Sequence, residues 1–336
     1  MSGRFFPALS RGLNAVLLGL LPFFTAAVAV EFQIESFDVS TFTLQHASVS
    51  LNASPGGHPQ IAFVEVANGL TRHQIGFLGV RASGSWERRR VVEYSGTRQA
   101  PTSVTLLLDE TGRSYVGVEE LGDFGRSGSS VVSVYRGPYS GTDWPQVFTD
   151  GAQDVRYKYP VFQLGPSGAL HVAFVRTDDQ LVRYATNQSG AWVAHLVSGS
   201  LADATSAWLG RQIALAIDST GSPQIAWRDV NGHLRLSRRE VDGLWRTERV
   251  SSLQSAFISL VLDSTDIPHL SFYSEDSTLS AFGKDLIYAT RSGGAWVFEG
   301  VSVIGDTGRH GPYGRRLSVL PGHHDPSGSN GPARGP

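Results

Sequence analysis

Residues 213–227 read IALAIDSTGSPQIAW. An alternating apolar run, 213–217, is followed by a polar turn, 218–223, and by a second alternating run that ends at Trp227. Two short alternating runs joined by a turn that contains Asp and Gly predict a β-hairpin. Residues 258–272, ISLVLDSTDIPHLSF, repeat the pattern, so the hairpin is a recurring unit.

The same unit occurs five times along the chain. Further copies of the hairpin lie at 49–63, 104–118 and 161–174, and a third strand follows each, as at 181–186. A fourth strand then opens near a tryptophan after a glycine-containing turn, at Trp86, Trp144, Trp192, Trp245 and Trp296. Four short strands in each unit of about fifty residues are typical of β-propeller blades. The sequence therefore predicts an all-β fold, a β-propeller of five four-stranded repeats over residues 30–321.

The two ends of this region predict an incomplete sixth blade. Residues 32–37 have the pattern of an outer strand, and residues 317–320 have the pattern of an inner strand. After residue 321 the repeat stops, and residues 322–336 form a Gly/Pro-rich tail that we expect to be disordered. A truncated or frame-shifted gene product is one hypothesis for this ending.

The N-terminal segment, residues 1–29, predicts a signal peptide. Arg4 and Arg11 precede an apolar run at 13–24, and Ala27-Val28-Ala29 offers a cleavage site with small residues. The alternative, a membrane anchor, is disfavoured because Pro22 interrupts a run that is shorter than the ~20 residues needed to span a bilayer. We expect a secreted or periplasmic protein with no membrane contact after cleavage, and an exported, cysteine-free, mildly acidic chain favours a bacterial origin.

Composition excludes several function classes. The net charge of -2 argues against nucleic acid as a partner, and the absence of cysteine removes thiolate nucleophiles and Cys-ligated metals. The sequence contains no His-Glu-x-x-His, phosphate-binding loop, dinucleotide fingerprint or EF-hand motif. We therefore expect no cofactor and no metal; the His323-His324-Asp325 cluster lies in the tail and lacks a scaffold.

Positions that recur in every unit are interpreted as structural. The repeated tryptophan is expected to pack between adjacent sheets, with a sugar-stacking platform as the alternative. The Asp of the first hairpin recurs at Asp109, Asp218 and Asp263, and we expect it to accept hydrogen bonds from turn amides instead of acting as a catalytic acid.

Residues that break the repeat near strand ends are the candidates for a ligand-binding site. An aromatic ring beside Arg and carboxylate groups can stack on a sugar and hydrogen-bond to it. Trp227 has an alternative role, because it stands at the repeat position filled elsewhere by Phe63, Phe174 and Phe272. The candidates are Trp208, Trp227, Arg228, Asp229, Tyr273 and Glu275.

The repeated unit resembles the propeller repeats of exported bacterial proteins related to sialidase-like and lectin-like propellers. The resemblance rests on the order of an apolar strand, Asp-Ser-x-Gly-x-Pro, a second strand, Leu-x-Tyr-Ala-Thr and Gly-x-Trp. The strict Asp-box of sialidases, Ser-x-Asp-x-Gly-x-x-Trp, is absent. The resemblance is specific for the fold and leaves two functions open. One is a non-enzymatic propeller that binds an extracellular glycan or protein. The other is a glycoside hydrolase or lyase that uses loop carboxylates, for which no catalytic residue is singled out.

Overall fold

The structure, a computed structural model, describes residues 43–50, 60–66, 72–80, 86–95, 101–121, 130–137, 144–151, 155–203, 212–274, 286–302 and 318–319. These residues form strands and turns and contain no helix. The predicted signal peptide (1–29), the predicted strand at 32–37 and the predicted disordered tail (322–336) lie outside the described residues. Within the described ranges, no helix is long and apolar enough to cross a membrane.

The strands form five antiparallel sheets, in each of which consecutive strands are neighbours. The first sheet contains β1 (Thr43–Ser50), β2 (Gln60–Val66), β3 (Arg72–Val80) and β4 (Trp86–Ser95), and the second contains β5 (Pro101–Leu108), β6 (Ser114–Leu121), β7 (Ser130–Arg136) and β8 (Gln146–Gly151). The third contains β9 (Tyr157–Leu164), β10 (Leu170–Arg176), β11 (Val182–Thr186) and β12 (Val193–Leu196), and the fourth contains β13 (Ile213–Ile217), β14 (Pro223–Arg228), β15 (Leu234–Arg239) and β16 (Trp245–Ser251). The fifth contains β17 (Ser255–Leu262), β18 (Pro268–Ser274), β19 (Leu286–Ser292), β20 (Ala295–Ser302) and β21 (Ser318–Val319). The all-β class and the four-stranded antiparallel repeat are confirmed.

The end of the fifth sheet differs from the prediction. Ser318–Val319, expected to open a sixth blade as an inner strand, pairs with β20 through Val297 and Phe298 and extends the fifth sheet. The outer edge of β20 presents backbone N–H and C=O groups that accept a further extended strand, which gives a physical reason for this pairing. The structure therefore does not confirm an incomplete sixth blade that begins at residue 317.

The first strands of successive sheets pack beside one another. β5 contacts β1 and β9, and β13 contacts β9 and β17. The first strands therefore lie at the centre, and the later strands of each sheet lie progressively farther out, as in the blades of a β-propeller.

Four apolar clusters hold the sheets together, and each lies between two neighbours. Val64 and Val116 belong to the cluster between the first and second sheets, and Val132 and Phe174 to that between the second and third. The two further clusters fill the third and fourth interfaces. Because a fully buried Val, Leu or Phe contributes about 1.5–3 kcal/mol, stacking of the sheets is the main source of stability.

The repeated tryptophans contribute to these interfaces, as expected. The indole N–H of Trp192 in the third sheet donates to the carbonyl of Val147 in the second at 3.0 Å, and its ring lies 4.2 Å from that of Phe148. Trp245 of the fourth sheet meets Tyr184 of the third edge-on at 5.5 Å. The packing role is therefore confirmed at these two positions.

Candidate functional site

The first strands surround a central cavity of about 320 Å³, to which the second, third, fourth and fifth sheets contribute. A second cavity of about 380 Å³ lies where the first hairpins of the same four sheets converge. We call this end, with the turns at 109–113, 165–169, 218–222 and 263–267, the lower face. The opposite end, where first strands begin and second strands end, is the upper face.

The aspartates of the lower face are turn residues, as predicted. Oδ1 of Asp263 accepts hydrogen bonds from the amides of Thr265 at 2.8 Å and Ile267 at 3.0 Å. Asp109 and Asp218 accept the corresponding pairs of amides in their own hairpins. The amide of Ile267, together with the Thr265 donors, holds the pKa of Asp263 well below its usual value. A carboxylate whose pKa is lowered in this way, as in Asp263, stays ionised at neutral pH and is a poor general acid.

Trp227 is a core residue in the structure. Its side chain is fully buried between the third and fourth sheets, and its indole N–H donates to Oγ of Ser237 at 2.9 Å. No face of the ring is open to a sugar. The position agrees with the packing alternative for this residue.

Arg228, at the upper end of β14, connects three sheets. Its Nε lies 3.2 Å from Oδ2 of Asp203, which follows the third sheet, and both side chains are buried. A second nitrogen donates to the carbonyl of Ser255, the first residue of the fifth sheet, at 2.7 Å. The guanidinium is therefore committed to holding neighbouring sheets together.

Asp229 closes the second hairpin of the fourth sheet. Oδ1 accepts from the amides of Asn231 at 2.9 Å and His233 at 3.0 Å, and Oδ2 accepts from Nε of Arg235 at 2.8 Å. This is the same arrangement as in the lower-face turns. The carboxylate is buried and already accepts three hydrogen bonds.

One of the three remaining candidates lies within the described residues. Tyr273 is half-buried near the upper end of β18 in the fifth sheet. Trp208 and Glu275 lie outside the described residues. That these six residues bind a ligand stays a prediction, and three of them already have structural partners.

A charged group with one aromatic ring, not predicted from the sequence, gathers at the upper face around the start of β9. We call it the upper-face cluster, and it consists of Glu119, Arg156, Lys158, Tyr159 and Asp203. Tyr159 has a φ of 56°, in the left-handed region, and lies at a β-bulge between β9 and β10. Burial, followed by the charges of Asp203 and Glu119, raises the pKa of its phenol to about 12.

One cation of the cluster, Lys158, lies over this ring. The Lys158 ammonium is 5.8 Å from the centre of the Tyr159 ring, and burial followed by the charge of Arg156 lowers the pKa of Lys158. The group thus combines a phenol that stays protonated, an aromatic face, two cations and two buried carboxylates. Such a set can donate to and accept from a polyhydroxylated molecule and stack on its apolar face.

One signal in the sequence could have revealed the cluster. Residues 157–160, YKYP, bring two aromatic rings and a cation to the start of this first strand, directly before the hairpin predicted from residue 161. The structure begins β9 at Tyr157.

The described residues contain no group of three or more His, Cys, Asp or Glu side chains suited to hold a metal ion.

No protein-family model matches the chain, and no curated protein sequence matches it. Similar solved structures include a protein of unknown function from Dyadobacter fermentans, at 12% identity and a TM-score of 0.48 over 74% of this chain and 79% of that one. A leech intramolecular trans-sialidase, in complex with 2,7-anhydro-Neu5Ac, is similar at 10% identity and a TM-score of 0.48, over 87% of this chain and 63% of that one. The lectin of Aleuria aurantia, in complex with α-methyl-L-fucoside, is similar at 13% identity and a TM-score of 0.41, over 77% and 94%. Likenesses this weak transfer neither a ligand nor an activity to this chain.

Proposed function

We propose that the protein binds a carbohydrate at the upper-face cluster without turning it over. The observation that carries this proposal is the placement of the Tyr159 ring, at a left-handed backbone position, beside Lys158 and near the charges of Glu119 and Asp203. A residue other than glycine in this region costs on the order of 1–3 kcal/mol, and such strain is concentrated at functional sites. Here it holds an aromatic ring beside Lys158 at the upper end of a first strand.

The chemistry of the cluster suits a sugar. A phenol with a pKa of about 12 remains a hydrogen-bond donor at neutral pH. Its ring packs in part against the apolar cluster between the third and fourth sheets, and the half-buried remainder offers a stacking surface. Glu119 supplies an acceptor, while Arg156 and Lys158 supply donors. Sugar hydroxyls require both kinds of partner within a small area.

Binding without turnover is favoured because the cluster lacks a nucleophile that is paired with a base, which covalent catalysis requires. The raised pKa of Tyr159 disfavours a phenolate nucleophile. Asp203 is held by the buried ion pair with Arg228, which ties it to the scaffold.

A glycoside hydrolase is the second candidate, and one observation favours it. Glu119 and Asp203 are both buried carboxylates whose charges act on the same phenol, and glycosidases use two carboxylates across one bond. Because the two classes share this site, one variant series distinguishes them.

The wider setting belongs to the same proposal. Residues 1–29 act as a signal peptide, the mature protein is secreted or periplasmic, and its partner is an extracellular glycan, with an extracellular protein as the alternative. The five sheets are five blades of one ring, and the ring has space for an incomplete sixth blade beside the fifth sheet. The charged n-region, the apolar run and the cleavage pattern support export, and N-terminal sequencing of the mature protein tests it.

Titration against hits from a glycan array tests the binding claim. Tyr159→Phe removes one hydroxyl and keeps the ring, and we expect about tenfold weaker binding, which corresponds to the loss of one hydrogen bond. The matched control is Tyr115→Phe, which removes a hydroxyl bonded to Asp109 at the lower face and should leave affinity unchanged. Equal affinity of wild type and Tyr159→Phe would contradict the proposed site.

The same glycans, incubated with the protein and assayed for released reducing sugar, test the hydrolase candidate. We expect no release. Release that disappears in Glu119→Gln would replace the binding proposal by the hydrolase.

A further inference from the structure

A second aromatic residue stands at the repeat position of Tyr159. In the third sheet, two residues of β9, 159 and 160, stand opposite one residue of β10. In the fifth sheet, two residues of β17, 257 and 258, stand opposite one residue of β18 in the same way. Phe257 is therefore the counterpart of Tyr159, and its φ is 53°, against 56° for Tyr159.

The backbone at this position favours glycine, yet both sheets place an aromatic residue there. A β-bulge with a left-handed residue normally has glycine at that point, because glycine has no Cβ to clash. Another residue there costs on the order of 1–3 kcal/mol. Tyr159 has this conformation in a sheet that packs against neighbours on both sides, so the strain does not come from the place of Phe257 in the last of the five sheets.

The ring of Phe257 contributes little to packing. Its side chain is 56% exposed, and the next residue of the bulge, Ile258, belongs to the apolar cluster between the fourth and fifth sheets instead. An exposed aromatic ring at a strained position has two costs that packing does not offset. Strain of this kind is concentrated where a side chain meets a ligand.

Phe257 is one of the residues that line the central cavity of about 320 Å³. β9 lines the same cavity from Val161 onwards, two residues after Tyr159. Both aromatic residues therefore lie near the upper ends of strands that form the wall of one cavity. Its volume is in the range of pockets that hold small ligands, about 300–1,000 Å³.

The polar side chains of this wall suit the hydroxyls of a sugar. Thr105, Gln163 and Ser259 line the cavity, and the last two are exposed. Amide and hydroxyl groups beside an aromatic ring can hydrogen-bond to a polyhydroxylated molecule while the ring stacks on its apolar face. The described residues that line the cavity include no charged side chain, so a neutral sugar unit fits there.

We propose that the glycan bound at the upper-face cluster extends into the upper end of the central cavity, where a second, neutral sugar unit stacks on Phe257. The ligand is then an oligosaccharide of at least two units, with one unit at Tyr159 and another at Phe257. This inference rests on the proposed binding of a carbohydrate at the upper-face cluster. It adds the length of the ligand and the residue that selects for that length.

Phe257→Gly tests the inference, because it removes the ring and supplies the residue that the backbone favours. The variant should melt close to the wild-type temperature, since relief of the strained φ opposes the greater freedom of the unfolded chain. The probes are the tightest-binding oligosaccharide from the glycan array and each monosaccharide from which it is built. We expect affinity for the oligosaccharide to fall about tenfold, the loss of one stacking contact, and affinity for the monosaccharide that binds at Tyr159 to stay unchanged.

Two control variants separate the ring from other effects of the change. Val261→Ala removes a side chain of the same strand that is 60% exposed and does not line the cavity, and it should bind both probes as the wild type does. Phe257→Tyr keeps an aromatic ring and should retain the affinity for the oligosaccharide. An equal loss in Phe257→Tyr and Phe257→Gly would show that the ring is not what binds, and would overturn the inference.

The outcomes also distinguish this inference from the proposed function on which it rests. If Tyr159→Phe weakens binding of the oligosaccharide and Phe257→Gly does not, the site at the upper-face cluster stands and its extension to Phe257 is wrong. If neither variant weakens binding, or if the wild type binds no glycan, both are wrong.

Discussion

The third and fifth sheets contain the same pair of side chains in different surroundings. In the third, Nδ1 of His171 lies 2.5 Å from the hydroxyl of Tyr184, and in the fifth, Nδ1 of His269 lies 2.5 Å from the hydroxyl of Tyr288. His171 is fully buried between neighbouring sheets, whereas His269 is half-buried in the fifth sheet. One repeat thus gives two environments, decided by what packs against it.

The residue that opens the first hairpin also differs between these two sheets, in line with the burial of the histidine. In the fifth sheet Oδ2 of Asp263 lies 3.3 Å from Nε2 of His269. In the third sheet Gly165 stands at the same position, and a Cβ there would come within 2.6 Å of Nε2 of His171. The buried histidine takes the space of the missing side chain, and its Nε2 has no hydrogen-bond partner among the described residues. The comparison indicates that the neighbours of a sheet, more than the repeat itself, set the chemistry of a repeated residue.

The largest expected effect is on the pH dependence of stability. Burial lowers the pKa of His171 to about 4 from an unfolded value of 6.5. The unfolded chain therefore binds the proton first, and stability is lost as the pH falls from 6.5 towards 4. The loss is about 3 kcal/mol when complete, and urea unfolding at pH 7.5 and pH 4.5 measures it.

His171→Gln isolates this contribution from that of the carboxylates. The variant should lose less stability between the two pH values than the wild type, by roughly the same 3 kcal/mol. Identical pH dependence in wild type and variant would show that His171 titrates normally.

The next effect concerns the space beside His171. Gly165→Ala introduces the Cβ that the imidazole excludes, and the hydrogen bond to Tyr184 restrains the ring from moving away. We expect a destabilisation of about 2 kcal/mol, as for overpacking of a core. Gly199→Ala, where a Cβ would meet nothing within 4 Å, is the control and should change stability by less than about 0.5 kcal/mol. A silent Gly165→Ala would remove the steric explanation for the glycine.

The smallest effect is expected in the fifth sheet. Asp263→Asn keeps the oxygen that accepts the amides of Thr265 and Ile267 and removes the charge that faces His269. Because this carboxylate is at the surface, the melting temperature should fall by less than in Gly165→Ala. A fall as large as that of Gly165→Ala would mean that the two environments do not differ as described.

Local patterns in the sequence were sufficient to predict the sheets. Alternation around a turn sets a hairpin within a few residues, so Asp218 and the strands on either side of it were predicted with their roles. The tryptophan that recurs in each unit, such as Trp245, predicts packing between sheets, because a position filled in every unit serves every interface.

The functional assignments depend on partners that are distant in sequence. Arg228 and Asp229 were selected because they follow a strand, but whether such side chains face a ligand or a neighbouring sheet is decided by Asp203 and Ser255, which the repeat does not identify. The left-handed φ of Tyr159 is imposed by the bulge against β10, and no local preference of tyrosine predicts it.

A crystal structure of the protein soaked with the tightest-binding glycan from the array tests the central claim most directly. The account predicts a sugar ring against Tyr159, within hydrogen-bonding distance of Lys158 or Glu119, at the upper face. A glycan bound instead in the lower-face cavity among the hairpin turns, with the upper-face cluster unoccupied, would contradict it.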